Sequence, residues 1–305
     1  MGLVILGSLT LGVVALLGVG WQLSRPVPAR IGAAPPELHA DAIEFSSDSG
    51  SMIHAWVSRV DAHKGVILLL PGIRSNRLSM IERALFLRAA GYSTLLMDFQ
   101  AAGESPGDAI TFGWRERLDV TAAVRTVKQR FPDTPTGIIG VSLGGAATAL
   151  AAPDLNVQAA VLEAVYPSID AAVENRLRMR LGGLGAALSP LLLVQLGPRL
   201  DITASELKPV DRIGSLRCPI LIIGGASDEH TTVADTQRLF AAAREPKELW
   251  LIDGAAHVDY LNADAQKYQS RVLEFLSRAF QLHSAPRTPV SARTGERSEP
   301  PARER

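Results

Sequence analysis

A single cysteine, Cys218, stands among 305 residues. One thiol cannot form an internal disulfide framework, and it cannot build a cysteine-ligated metal cluster. Net charge is missing as well: 31 Lys and Arg balance 31 Asp and Glu, for a formal charge of +0 at pH 7. Such a chain sets up no overall field to draw in nucleic acid or strongly acidic ligands. No internal repeat is visible. Ionisable side chains are absent altogether from Met1 to Leu23. What is present is apolar residue, 47% of a chain long enough for one large domain with a sizeable core.

The uncharged run "LVILGSLTLGVVALLGVGW" is about long enough to cross the roughly 30 Å hydrocarbon layer as a helix. It predicts an N-terminal transmembrane helix over residues 1–24 that takes no part in the soluble fold. A cleaved signal peptide is the competing reading, but the early positive residues are missing and the apolar run exceeds the usual ~7–15. Arg25 and Arg30 follow the run, so charge bias favours a cytoplasmic domain on a single-pass membrane anchor. "RPVPARIGAAPPE", within residues 25–37, reads as a linker holding the domain off the membrane. Residues 283–305 mix Pro, Ser, Arg and Glu, which cannot repay ordering entropy, and are expected as a disordered tail.

Between these ends, over 38–282, short apolar runs alternate with helical patterns. Strands are expected at 65–70, 93–99, 136–142, 158–164, 219–225 and 247–252, and helices near 78–90, 112–130, 143–153, 232–243 and 263–282. The alternation predicts an α/β class: a mainly parallel, doubly wound sheet with helices on both faces. "DAIEFSS" and "MIHAWVSRV" read as an antiparallel hairpin at its edge. From 168 to 216 an insertion separates two consecutive strands by more than one crossover helix needs. It is read as a mobile helical lid over a pocket, against the alternative of an excursion that only thickens the domain.

One serine lies where chemistry is expected. In "GIIGVSLGGAATAL" an apolar strand runs into Gly140-Val141-Ser142-Leu143-Gly144 and then into small, helix-compatible residues. The glycines allow a tight strand-to-helix turn that exposes the Ser142 hydroxyl. A serine alcohol needs a base within hydrogen-bond reach and a carboxylate to orient that base. "LIIGGASDEHTT" places Asp228 just past one strand, and "WLIDGAAHVDY" places His257 just past the next. Loops at the carboxyl ends of parallel strands converge on one rim, so Ser142, Asp228 and His257 can meet. Glu229 competes with Asp228 as the acid, and Asp228 could instead cap the helix near Thr232. His39, His54, His63, His230 and His283 are poorer placed than His257, which alone follows the final strand. A developing oxyanion needs two backbone N–H groups. Leu143 supplies one; the loop "LLLPGIRSNR" supplies the other, with Ile73 first choice and Arg74 second.

Pro71-Gly72, "MDFQAAGES", "GVSLGG", "GASDEHT" and "GAAH", in this order, make the chain similar to the alpha/beta-hydrolase superfamily over roughly Ile43 to Gln281, near dienelactone hydrolases and lipid-acting acyl hydrolases. The resemblance implies Ser142 as nucleophile, His257 as base and Asp228 as orienting acid, with no metal and no organic cofactor. Two departures bear on the pocket lining: Pro71 stands where many relatives have His, and Ala101-Ala102 where they often have Arg-Gly. The implied activity is cleavage of an ester or thioester with an apolar acyl group, the substrate a small molecule or lipid-like ester. A peptidase of the same fold needs an acid to hold the substrate amine, and Glu163 is its candidate, unless Glu163 pairs with Arg176 or Arg178. A hydrolase-like scaffold that binds without turnover is the third reading.

Overall fold

The structure, a computed structural model, describes residues 16–257 and 259–284. Its main sheet begins with the antiparallel hairpin β1 (Ala40–Ser46) and β2 (Met52–Ser58), with Ile43 opposite Ala55. It continues with β3 (Val66–Leu70), β4 (Ser93–Met97), β5 (Thr136–Val141), β6 (Ala159–Glu163), β7 (Ile220–Gly225) and β8 (Lys247–Ile252). The order across the sheet is β8-β7-β6-β5-β3-β4-β2-β1, and every pairing from β8 to β4 is parallel.

Strand β3, "VILLL", shows why helices cover both faces. Val66, Leu68 and Leu70 enter the core on one side and Ile67 and Leu69 on the other, all buried. A strand apolar on both faces must be covered on both. The main helices are α1 (Ile81–Ala89), α2 (Glu116–Arg130), α3 (Leu143–Ala151), α4 (Ile169–Leu181), α5 (Val233–Ala242) and α6 (Ala265–Ser284). Leu87 of α1 and Val272 of α6 pack in one layer; Val120 of α2, Ala147 of α3 and Leu239 of α5 pack in the other. The insertion comprises α4 and short helical turns at Gly183–Ala186, Ser189–Leu193, Leu196–Leu200 and Pro209–Arg212.

The amino-terminal expectations change. Among the described residues no helix is long and apolar enough to cross a membrane, and residues 1–15 of the expected anchor lie outside them. Residues 16–24 do form a helical segment, but it docks on the domain rather than standing apart. Gln195 donates to the Leu16 carbonyl at 3.2 Å, Arg199 to Leu17 at 3.2 Å and Arg74 to Gln22 at 3.0 Å. The Gln22 carbonyl lies in the last turn of the segment, where carbonyls lack intrahelical partners, and Arg74 supplies its donor.

Residues 25–37, expected as a spacer, are strapped down as well. Val27 and Pro28 pair in parallel with Ala102 and Gly103, and Glu104 accepts the N–H groups of Ile31 and Gly32 at 3.0 and 3.1 Å. Arg77 holds Glu104 from the other side and also pairs with the buried Asp98. The Glu104 carboxylate in "DFQAAGES" turns this Pro-Ala-Gly stretch into a strap. The expected tail lies, beyond Ser284, outside the described residues.

Candidate active site

Strand β5 ends at Val141 and helix α3 starts at Leu143, leaving Ser142 alone on the turn with φ 49° and ψ −105°. A non-glycine residue in this region costs about 1–3 kcal/mol and persists only where its surroundings fix it. Here the Ser142 N–H donates to the Glu163 carbonyl at 2.7 Å. The neighbouring glycines are required sterically. A Cβ on Gly140 would lie 2.7 Å from the Gly144 carbonyl carbon, and one on Gly144 would lie 2.5 Å from the Leu70 carbonyl oxygen. Larger residues would push α3 away from β3 and β5 and flatten the turn. The Ser142 hydroxyl makes no hydrogen bond to a described residue.

The loops that carry Asp228 and His257 meet at the ends of β7 and β8. Asp228 Oδ2 accepts from His257 Nδ1 at 2.7 Å and from the Tyr260 hydroxyl at 3.1 Å. Asp228 Oδ1 accepts the backbone N–H groups of His230 and Thr231 at 2.8 and 2.9 Å. Burial alone would raise the carboxyl pKa, but the His257, Thr231 and Tyr260 donors outweigh it and hold Asp228 below its ordinary value. Asp228 has no capping role, since Thr232 caps α5 reciprocally with Asp235. Glu229 shares the loop without entering this network. A short chain of contacts joins the two halves: Ser142 N–H binds Glu163, the next carbonyl, Ala164, accepts the Thr231 hydroxyl at 3.3 Å, and Thr231 N–H binds Asp228.

Ser142, Leu143 and Ile73 share the wall of one cavity of about 260 Å³. Leu143 opens α3, where the first N–H groups have no intrahelical acceptor and the helix dipole favours negative charge. Gly72 packs against the elbow: a Cβ there would sit 3.8 Å from the Ser142 Cβ. The left-handed residue of that loop is Arg74, φ 59°, rather than Gly72. The remaining walls are mostly apolar, with Phe112 and Tyr166 below and Ile169, Val173, Leu192, Leu193, Leu196 and Leu200 of the insertion above. Gly20 and Leu23 of the amino-terminal segment close one side.

A parallel sheet wound by helices on both faces, with a serine at the strand-to-helix elbow and an Asp–His pair on the same rim, is the arrangement of the alpha/beta-hydrolase superfamily, and the comparisons support that superfamily for this chain. The family model described as "Serine aminopeptidase, S33" matches residues 61–205. Protein YqkD of Bacillus subtilis (strain 168) is 24% identical over 69% of this chain and 70% of its own. The alpha/beta hydrolase domain-containing protein WAV2 of Arabidopsis thaliana is 26% identical over 85% of this chain and 84% of its own. Among solved structures, the Pyrococcus furiosus esterase Pf2001 superposes with a TM-score of 0.67 at 24% identity, covering 83% of this chain and 98% of that one. This last likeness is one of fold.

Several residues around the site escaped the sequence reading. Tyr260, three places after His257, supplies a donor to Asp228; an aromatic hydroxyl so close behind the histidine was the available signal. Glu163 faces neither the cavity nor Arg176 or Arg178. It is buried against Arg83, at 2.7 Å, and the Tyr268 hydroxyl, while Arg83 also reaches Asp259 at 2.6 Å. Of the other histidines, His54 lies 3.4 Å from Glu44 on the edge hairpin and His63 bonds Thr134 at 3.1 Å, both away from the cavity. Cys218 is buried, and that burial pushes its thiol up to about 12. Among the described residues no group of His, Cys, Asp and Glu is placed to hold a metal ion.

Proposed function

We propose that the protein is a serine hydrolase that cleaves a carboxylic ester or thioester through an acyl-enzyme, with Ser142 as nucleophile, His257 as general base and Asp228 as the acid that orients it. The observation that carries this reading is the 2.7 Å bond from His257 Nδ1 to an Asp228 carboxylate whose other lone pairs are already occupied. That bond keeps the proton on Nδ1 and leaves Nε2 as the acceptor a serine proton requires. In the reaction Ser142 Oγ attacks the acyl carbon while its proton passes to Nε2, and the imidazolium then protonates the leaving group. The oxyanion is met by the N–H groups of Leu143 and Ile73; losing one such donor typically costs about 10²–10³ in rate. Water repeats the sequence to release the acid. The apolar cavity supports an apolar acyl group, since burial contributes roughly 25 cal/mol per Å².

Wild-type protein is expected to label with a fluorophosphonate probe and Ser142→Ala to lose all labelling, with hydrolysis of 4-nitrophenyl esters falling about 10⁵–10⁶-fold. Turnover should rise from acetyl to octanoyl esters; a flat series removes the apolar-acyl part, and an unlabelled wild type removes the whole reading.

The peptidase reading finds less support. Glu163 is sequestered by Arg83 and Tyr268, and no Asp or Glu is among the residues lining the cavity, so an amino-terminal ammonium would meet no carboxylate there. Membrane attachment through the uncharged residues 1–15, ahead of the docked residues 16–24, is a separable part of the proposal, carried by that apolar run itself. Retention of the full chain in the membrane pellet after alkaline carbonate washing is expected, and release into the supernatant refutes attachment.

A further inference from the structure

Among the described residues the two fully buried arginines are both neutralised: Arg77 by Asp98 and Glu104, Arg83 by Glu163 and Asp259. Arg176 is not. It is half-buried on the cavity wall, on the face of α4 that also presents Ile169 and Val173, and its hydrogen bond runs to the Ala172 carbonyl of its own helix at 3.0 Å. No carboxylate among the described residues lies within ion-pair distance of it. The carboxylate that reaches it electrostatically, Asp228, has both oxygens engaged by His257, Tyr260, His230 and Thr231. Taking a cation partly out of water without a counter-charge is costly, and a group perturbed by desolvation on a cavity wall marks a candidate functional site. The desolvation has no close offset, so burial lowers the guanidinium pKa, with Tyr166 and Asp228 opposing it from farther off.

Two further features point the same way. Arg74 and Arg199 also line the cavity while Asp and Glu are absent from its lining, so every charged residue of that lining is a cation although the chain as a whole is neutral. Arg176 is also held in place: its neighbour Asn175 donates to the His230 carbonyl at 3.2 Å and to Asp235 at 2.7 Å, tying α4 to the loop of the acid. A fixed guanidinium presents a fork of donors that matches an oxyanion.

We infer that Arg176 forms an anion subsite, so that the substrate of the proposed hydrolase carries an oxyanion, carboxylate or phosphate, on an otherwise apolar chain. This rests on the hydrolase reading for the word substrate but not for the binding itself, and the test separates the two. Octanoate, octyl phosphate and octanol are compared as ligands of the full chain by thermal shift, and as inhibitors of 4-nitrophenyl butyrate hydrolysis. At least one anion is expected to bind wild type about tenfold or more tighter than octanol, with the preference shrinking as salt rises from about 0.05 to 0.5 M. Which anion wins identifies the source of the oxyanion.

In Arg176→Gln the preference should fall to about threefold or less, with Arg176→Lys intermediate. Arg125→Gln, which breaks an exposed pair with Asp48, should leave it unchanged. Ser142→Ala should keep the preference, because it needs no turnover. Equal affinity of anions and alcohol in wild type, or a preference that survives Arg176→Gln, overturns the subsite even if the enzyme labels with fluorophosphonate. A preference that obeys Arg176 in a protein that neither labels nor turns over esters upholds the subsite and refutes the hydrolase. Should Arg176→Gln fail to fold, Arg176→Lys and the salt series decide.

Discussion

Asp228→Asn is expected to lower kcat by about 10⁴ while leaving the fold intact. The geometry dictates how. Asp228 Oδ1 is fixed by two backbone donors, His230 and Thr231, so an asparagine places its carbonyl oxygen there and turns its NH₂ toward His257. An NH₂ opposite Nδ1 can only donate, which drives the imidazole proton to Nε2. The nitrogen that should accept the Ser142 proton is then occupied. A factor of 10⁴ corresponds to about 5.4 kcal/mol of barrier. Ester hydrolysis against a melting curve reads both halves of the expectation; a loss of tenfold or less dismisses Asp228 as the orienting acid. The pH dependence has a definite sign. Because the folded-state pKa of Asp228 is depressed, its contribution to stability is present above the unfolded value, about 3.9, and is lost as pH falls through the lower folded value.

The second large effect is on stability and lies behind the elbow. Arg83 and Glu163 are each 1% exposed, joined at 2.7 Å, and shared with Tyr268 and Asp259. Glu163→Ala strands a buried guanidinium with only the partly exposed Asp259, which should cost about 3–5 kcal/mol and lower the melting temperature by roughly 10 °C. The double change Arg83→Met with Glu163→Leu should cost less than the sum of Arg83→Met and Glu163→Leu, since no unpaired charge remains. Additive losses in denaturant titrations would show that the pair is uncoupled. The same residue ends β6 and offers its carbonyl to Ser142 N–H, so this network stiffens the wall on which the proposed nucleophile stands.

Much of the fold was legible because parallel strands announce themselves locally. "GVILLL" and "PILIIGG" are apolar without alternation, which only a sheet covered on both faces explains, and β3 and β7 are those strands. The elbow was legible for a similar reason: Gly140 and Gly144 are spaced for a turn in which a side chain would strike backbone. Residues 16–37 were misread because an apolar run and a Pro-rich stretch look alike in isolation whether they stand free or dock. Their docking depends on Arg74, Gln195, Arg199 and Glu104, which are distant in sequence.

By itself, then, the sequence determined the alternation of strands and helices, the turn that isolates Ser142 and the chain order of Ser142, Asp228 and His257. These follow from periodicity and from steric rules that act over a few residues. Only the tertiary structure decided which charges are paired. Glu163 is claimed by Arg83, and Asp228 is saturated by four donors. Arg176 is left facing an apolar cavity without a counter-charge. Pairing depends on distances across the fold and on the dielectric of the place where two groups meet, and neither quantity is written along the chain.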